Sequence, residues 1–170
     1  MKNIFLLASW TLVLFGCGEK IDEFSSGEFD WAARKTEFPS LDSNKIAGST
    51  YLAVYSEIYE RNQHRTYNLT ATISIRNISP SESFYLTGTK YYNTQGEHVH
   101  TYFDFPVELM PMETIEIIIN QDDAHGGTGG NFVIDWISPR ADFEPICESV
   151  MISASGQQGI SFTSRGIRID

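Results

Sequence analysis

Positive charge is scarce in this chain. Lysine and arginine number 12 against 22 aspartate and glutamate residues, which gives a formal net charge of −10 over 170 residues. Proteins that bind nucleic acid place clusters of basic residues on the phosphates, and anionic lipid surfaces attract basic segments. The composition therefore argues against nucleic acid as a partner and against an electrostatic attachment to lipid. The acidic residues are scattered, which is typical of a soluble surface.

Cysteine is equally scarce, since only Cys17 and Cys147 occur. A disulfide between them is excluded if Cys17 carries a lipid, as its surroundings indicate. No motif places a histidine beside Cys147 to activate its thiol. We therefore interpret Cys147 as a small, buried apolar residue rather than a nucleophile.

No apolar run reaches the length of about 20 residues that a membrane-spanning helix needs. The run at residues 4–15 follows Lys2 and ends in the sequence LFGC at Cys17, which is typical of a signal peptide. This ending resembles the lipobox of bacterial lipoproteins, although Phe15 stands where a small or aliphatic residue is usual. The resemblance implies cleavage before Cys17 and lipidation of that cysteine. The alternative is an ordinary signal peptide with an incidental cysteine.

A lipidated Cys17 implies an anchor in a membrane of the bacterial cell envelope. Gly18 follows it where an aspartate would favour retention in the inner membrane. We therefore expect the outer membrane, facing the periplasm, if the organism has two membranes. The predicted organisation is a lipoprotein signal peptide at residues 1–16, a lipidated cysteine and tether at 17–47, and a folded domain at 48–170.

The apolar spacing of a long helix is also missing. Residues 67–77 read YNLTATISIRN, in which Leu69, Ala71, Ile73 and Ile75 alternate with polar residues. Successive side chains of a strand point to opposite faces, so this pattern predicts a strand with one face on a core and one face in water. Such half-buried strands are typical of antiparallel sheets.

Similar stretches predict about eight strands joined by short turns. The expected fold is all-β, an antiparallel β-sandwich of immunoglobulin-like kind, and the alternative is a jelly roll. The predicted strands are residues 51–59, 67–77, 84–92, 98–103, 115–119, 132–137, 146–154 and 160–163.

Catalytic signatures are missing as well. The sequence contains no G-x-S-x-G elbow, no phosphate-binding loop with Gly-Lys-Ser/Thr and no spaced D-x-D-x-D-G calcium loop. We therefore predict that the protein is not an enzyme and that it uses no cofactor.

His98 and His100 form the one pattern that favours a metal. They stand two residues apart on a predicted strand, which would place both imidazoles on one face. The spacing resembles the histidine pair of cupins, which are jelly rolls. The cupin glycine before the pair is absent, and Asp104 or Glu108 would have to replace the expected glutamate. The other interpretation is two solvated histidines and no metal.

The most unusual local sequence is QDDAHGGTGGN at residues 121–131. Its acidic and histidine side chains could bind a cation or a partner. The alternative is a long flexible loop whose glycines serve the backbone. Loops gather at the two ends of a sandwich, where binding residues tend to lie.

A second glycine-containing loop at residues 156–159 is expected at the same end. This follows if strands 132–137 and 146–154 are antiparallel neighbours, and Arg165 would then lie toward the other end. The candidate binding residues are Asp122, Asp123, His125, Asn131, Gln157 and Gln158.

Several longer stretches carry a resemblance to a known family. NFVIDW, EPICESVMIS and QQGISFTSRG, together with VYSEIY, ATISIRN and LTGTKYYNTQG, resemble the bacterial domain of unknown function 3124 over about residues 48–167. The family carries no established activity. The resemblance implies a secreted or lipid-anchored envelope protein.

Three functional hypotheses remain open on this sequence. The favoured one is a non-enzymatic module that binds an envelope protein or a glycan. The second is a metal-binding or metal-dependent protein that uses His98 and His100. The third is a periplasmic accessory protein with no ligand of its own.

Overall fold

The structure, a computed structural model, describes residues 29–38, 45–154 and 159–170. Its described part is all-β, and two antiparallel sheets pack against each other as a sandwich. The predicted all-β, antiparallel β-sandwich is therefore confirmed. No helix among the described residues is long and apolar enough to cross a bilayer.

The strands are more numerous than the sequence pattern indicated. They are β1 (Ile46–Ala53), β2 (Glu57–Tyr59), β3 (Thr66–Asn68), β4 (Thr70–Arg76), β5 (Phe84–Tyr92), β6 (His98–Phe103), β7 (Val107–Leu109), β8 (Thr114–Ile119), β9 (Asn131–Ser138), β10 (Ile146–Ser153), β11 (Ile160–Arg165) and β12 (Ile167–Arg168).

The larger sheet has the strand order β12-β1-β9-β5-β6, and β7 pairs with the lower part of β5 beside β6. The smaller sheet has the order β11-β10-β4-β8. The hairpin β2-β3 extends beyond them as a two-stranded sheet. Nearly every connection is therefore a hairpin or a crossing from one sheet to the other, and the connections collect at two ends.

Strand β4 shows why the alternating pattern was informative. Leu69, just before it, and Ala71, Ile73 and Ile75 within it are all fully buried. Each large aliphatic side chain that is removed from water stabilises the fold by about 1.5–3 kcal/mol. Because β4 lies between β10 and β8, its apolar face covers the middle of the core.

The core between the sheets also constrains the backbone. Trp136 on β9 is 1% exposed and donates a hydrogen bond from Nε1 to the Thr50 hydroxyl at 2.9 Å. Gly48 pairs with Trp136 across β1 and β9. A Cβ atom at position 48 would lie 2.5 Å from the indole ring, so only glycine permits this approach.

Two predicted strands are broken in the structure. The predicted strand at 51–59 divides after Ala53, where Val54 donates its N–H to the Gly130 carbonyl at 2.9 Å. The predicted strand at 67–77 divides at Leu69, whose N–H bonds to the Ser56 carbonyl at 2.8 Å. In both places a hydrogen bond to a distant loop replaces the sheet ladder.

Residues 29–38, within the predicted tether, lie against the edge of the larger sheet. The Trp31 ring packs on Phe103 with centroids 4.7 Å apart, and Lys35 forms an isolated bridge with Val107. A short 3-10 turn, Ala32–Arg34, lies between these two contacts. This segment therefore contributes packing to the domain.

Candidate functional site

Three connections meet at one end of the sandwich, which we call the glycine-loop end. They are the β8–β9 loop (residues 120–130), the β5–β6 turn (93–97) and the β1–β2 link (54–56). In the turn, Gly96 adopts a φ of +79° and its N–H donates to the Asn93 carbonyl at 2.9 Å. The β8–β9 loop, called the glycine loop below, packs on the other two connections.

Thr94 is the main link between the turn and the glycine loop. Its N–H and its hydroxyl both donate to the Gly126 carbonyl, at 3.1 and 3.0 Å. The same hydroxyl oxygen accepts the N–H of Gly129 at 2.9 Å. The loop is therefore hydrogen-bonded at two points to a neighbouring hairpin.

The β1–β2 link holds the loop from its other side. Val54 donates to the Gly130 carbonyl at 2.9 Å, and Ser56 donates its N–H to the Gly127 carbonyl at 3.2 Å. Ser56 is fully buried, and its hydroxyl lies 3.3 Å from the same Gly127 oxygen. These contacts fix the backbone of the loop on the end of the sandwich.

Local structure explains why glycine occupies two positions of the loop. Gly126 is buried, and a Cβ atom there would overlap the hydroxyl of Tyr91. Gly127 has a φ of +67°, in the left-handed region that disfavours other residues. The interpretation that the glycines serve the backbone therefore explains these two positions, and the loop is packed rather than extended into solvent.

An aromatic cluster supports the loop from below. Tyr91 stacks on Phe132 with centroids 4.8 Å apart, and Tyr102 stacks on the same ring at 5.5 Å. Tyr91 is 1% exposed, and burial raises its pKa to about 12. Burial also raises the pKa of Tyr102, with smaller contributions from Tyr91 and Asp123. Both phenols are therefore neutral at physiological pH and act as packing groups.

Asp122, Asp123 and His125 are brought together on the outside of this packed loop. The His125 N–H and its ring Nδ1 lie 3.0 and 2.7 Å from the same carboxylate oxygen, Oδ1 of Asp123. Asp122 and His125 are exposed, and Asp123 is half-buried. The three side chains present one imidazole and two carboxylates from a fixed backbone.

The other predicted site residues are placed differently. Asn131 is the first residue of β9, where it pairs with Ala53 and Tyr92, and it is half-buried in the sheet. Gln157 and Gln158 lie outside the described residues. Asn131 is therefore part of the sheet that lies beneath the loop.

The reasoning that placed residues 156–159 at this end needs a correction. Strands β9 and β10 are not neighbours in one sheet, because β9 pairs with β1 and β5 while β10 pairs with β4 and β11. Strand β10 nevertheless runs toward this end, since Ile152 near its end pairs with Thr70, next to Leu69, which bonds to the β1–β2 link. Residues 156–158 of the predicted loop lie outside the described residues. Arg165 is exposed and pairs with Glu148, away from this end.

The expectation that His98 and His100 share a face is wrong. His98 pairs with Tyr92 and His100 with Tyr91, so the two histidines oppose consecutive residues of β5. The strand carries one extra residue there, a β-bulge at Val99, which turns the histidines to opposite faces. A bulge of this kind leaves no mark in the residue pattern.

The two imidazoles have separate neighbours. His98 Nε2 lies 2.7 Å from the Thr101 hydroxyl, and the His100 ring packs edge-on against Tyr102 at 4.7 Å. Both histidines are exposed. Within the described ranges, no group of three or more histidine, cysteine, aspartate or glutamate residues is arranged to hold a metal ion.

Cys147 on β10 is a free, buried thiol in the core, 2% exposed. Burial raises its pKa to about 12, so the thiolate that a nucleophile requires is not formed near neutral pH. This agrees with the interpretation of Cys147 as a small core residue.

Sequence reasoning missed the residues that contact the loop, namely Ser56, Tyr91 and Thr94, and it missed Tyr102, which stacks on Phe132 beneath the loop. Tyr91 and Tyr102 had the appearance of ordinary strand residues, and Thr94 that of an ordinary turn residue. The loop contacts of Ser56, Tyr91 and Thr94 are with Gly126, Gly127 and Gly129, more than 20 positions away, and short motifs do not record such contacts.

The fold and this end together define a class: an antiparallel β-sandwich with a structured polar loop at one end. The family described as "Protein of unknown function (DUF3124)" matches residues 47–169, and the chain belongs to this family. The resemblance predicted from the sequence is thereby confirmed.

Other comparisons add little. The search of curated proteins returned no match. A structure titled "Crystal Structure of Thermotoga maritima 1070" aligns with a TM-score of 0.45 and 9% identity, covering 71% of this chain and 92% of that chain. A likeness of this size supports no conclusion about function.

Proposed function

We propose that this protein is a non-enzymatic binding module of the bacterial envelope, held by a lipid on Cys17, that binds a protein or glycan partner at the glycine-loop end. The observation that carries the proposal is the fixed glycine loop. Thr94 and Val54 hold its backbone from two sides, and its charged side chains point outward. A preorganised loop loses little conformational entropy on binding.

The chemistry of the exposed groups suits recognition of polar partners. Asp122 and Asp123 can accept hydrogen bonds from hydroxyl, amide or cationic groups, and the imidazole of His125 adds a donor or a stacking face. Protein surfaces and sugars both offer such groups. The phenol of Tyr91 is buried and that of Tyr102 is half-buried against Phe132, so the loop itself provides most of the exposed polar groups.

The anchor part of the proposal rests on the LFGC sequence at Cys17. Intact-mass measurement of the protein from its native membrane tests it. We expect a chain that begins at Cys17 and carries acyl mass. A mature protein without acyl mass would contradict the anchor, and a Cys17→Ser variant serves as the unlipidated reference.

Crosslinking in the native envelope tests the binding end. The variant Asp122→Ala/Asp123→Ala/His125→Ala is compared with Asp142→Ala/Glu144→Ala. The control also removes two carboxylates, but they lie in the β9–β10 connection at the other end. We expect the loop variant to lose the crosslinked partner and the control to keep it. Full recovery of the partner by a folded loop variant would contradict the proposal.

A further inference from the structure

The end of the sandwich opposite the glycine loop contains, besides the β9–β10 connection, two loops that contact each other: residues 77–83 and the methionine turn at 110–113. Asn77 joins them and is 2% exposed. Its side-chain amide lies within hydrogen-bond distance of three carbonyl oxygens, at 2.9, 3.0 and 2.9 Å, which belong to Glu82, Leu109 and Met110. The Asn77 N–H also donates to the Glu113 carbonyl at 2.9 Å. The two loops therefore form one unit, which we call the apolar tip.

Large apolar side chains project from this tip into solvent. Ile78 is 51% exposed, Met110 is 53% exposed and Met112 is 68% exposed. They lie on adjoining loops, because the Met112 N–H donates to the Ser79 carbonyl at 3.0 Å. Exposed apolar groups gathered in this way mark a surface that meets another molecule or a membrane.

Met112 adds an independent observation. Its φ is +61°, and it is the one residue other than glycine with a positive φ in the described part of the chain. Glycine or asparagine adopts this conformation more readily than methionine does. Strained residues cluster at functional positions, so an exposed apolar side chain kept at a strained position points to a role for that side chain.

The carboxylates that border the tip are paired with arginines. Glu113 accepts a hydrogen bond from Arg34 at 2.7 Å, and Glu82 lies 3.6 Å from Arg140. Arg140 also lies 3.2 Å from Asp142, so each of these three carboxylates has an arginine beside it, although the whole chain is strongly acidic. A tip of this kind can approach a lipid surface without placing unpaired carboxylates there.

The described chain begins beside this tip. The guanidinium of Arg34 contacts the Glu113 carboxylate of the methionine turn and lies over the Phe29 ring, 5.7 Å from its centroid. Cys17 precedes Phe29 by twelve residues. Even a fully extended chain of that length spans only about 40 Å, so a lipid on Cys17 would hold the start of the described domain, beside the tip, within about 40 Å of the bilayer.

We propose that the apolar tip inserts Ile78, Met110 and Met112 into the interface of the bilayer that holds the anchor. The partner of this surface is lipid, and the glycine-loop end then points away from the membrane. The inference rests on the lipid anchor of the proposed function and adds the orientation of the domain. The tip is a pair of joined loops with exposed apolar side chains, which suits insertion between headgroups.

The test uses the full-length lipidated chain in vesicles of phosphatidylethanolamine and phosphatidylglycerol. Met112→Cys carries a polarity-sensitive fluorophore, and Gln95→Cys, exposed in the β5–β6 turn, is the matched label at the other end. Cys147 is buried, and the parent chain gives the background for labelling at Cys17. We expect a blue shift and quenching by a spin-labelled lipid at position 112, and neither at position 95.

Equal signals from the two positions, or no quenching at 112, would overturn the proposal. If Met112→Cys does not fold, Ile78→Cys provides the same measurement from the adjoining loop. The label at position 112 could instead remain exposed to water on vesicles and become protected in native envelopes. That result would show that the tip contacts a protein, and it would also overturn the proposal of a lipid partner.

Flotation of the vesicles separates this inference from the anchor. If the protein does not float, the lipid anchor is wrong. The same labelled chains are then attached through an N-terminal histidine tag to vesicles that contain nickel-chelating lipid. Quenching at position 112 in that arrangement supports insertion of the apolar tip into the bilayer. Absence of quenching there contradicts insertion, whether or not Cys17 carries a lipid.

Discussion

The two ends of the sandwich are held together in similar ways but present different chemistry. At the glycine-loop end, Thr94 joins a hairpin turn to a loop, and at the apolar tip Asn77 joins two loops. The first end exposes Asp122 and His125, whereas the second exposes Ile78 and Met112. Polar side chains inside the loops thus fix both ends, and the outward residues decide what each end can meet.

The largest expected effect is on stability, at the buried link of the apolar tip. Asn77→Ala removes the two amide N–H groups that three carbonyl oxygens of the tip share, and the Oδ1 that accepts the Ser79 N–H at 2.9 Å. We expect a loss of about 3 kcal/mol in the free energy of unfolding, because each unsatisfied buried group costs about 1–3 kcal/mol. Urea denaturation measures it.

Asn93→Ala is the matched control at the other end. Asn93 also organises a turn through its side chain, accepting the N–H groups of Gln95 and Glu97, but these contacts are exposed to water. We expect a cost below about 1 kcal/mol there, since water can replace the lost partner. Equal losses at the two asparagines would contradict the account of Asn77.

A second effect is expected from Gly126→Ala. The added methyl group would overlap the Tyr91 hydroxyl, and overpacking of this kind costs about 1–3 kcal/mol. Thermal unfolding is compared with that of Gly159→Ala, where the new atom would meet only the Ser153 carbonyl at 3.5 Å. If both variants melt at the same temperature, the loop is not packed on Tyr91 as described.

Met112→Asn acts in the opposite direction on stability. Asparagine tolerates a positive φ better than methionine, so we expect the unfolding free energy to stay the same or rise by about 1 kcal/mol. We expect no such gain from the same substitution at Met110, because Met110 does not have a positive φ. Both variants are expected to insert less well into vesicles. A destabilised Met112→Asn would show that the methionine side chain supports the fold.

The smallest expected effect on stability belongs to the loop variant Asp122→Ala/Asp123→Ala/His125→Ala. The Asp123–His125 contact is exposed, and exposed substitutions usually change stability by no more than about 0.5 kcal/mol. Its melting temperature is therefore expected to match that of the wild type. A large loss of stability would mean that these side chains hold the loop rather than serve a partner.

Much of the fold could be predicted because the pattern is local. The alternation from Leu69 to Ile75 fixes which face of β4 is buried, whatever its neighbours are. The breaks at Val54 and Leu69 could not be predicted, because they arise from hydrogen bonds to Gly130 and Ser56. Strand boundaries depend on such distant partners.

The candidate site also has features that the sequence could predict and features that it could not. Asp122, Asp123 and His125 are adjacent in sequence, so their proximity was predictable, whereas their support by Thr94 was not. The bulge at Val99 shows most clearly what the residue pattern cannot predict. One extra residue in the pairing of β6 with β5 separates two histidines that the pattern alone would have placed together.

The central claim is that the two ends meet different partners, and photo-crosslinking in native envelopes tests it most directly. A photoreactive amino acid replaces His125 in one chain and Met112 in another. The account predicts a defined protein or glycan adduct from position 125 and a lipid adduct from position 112. A defined protein adduct from 112 together with none from 125 would contradict it.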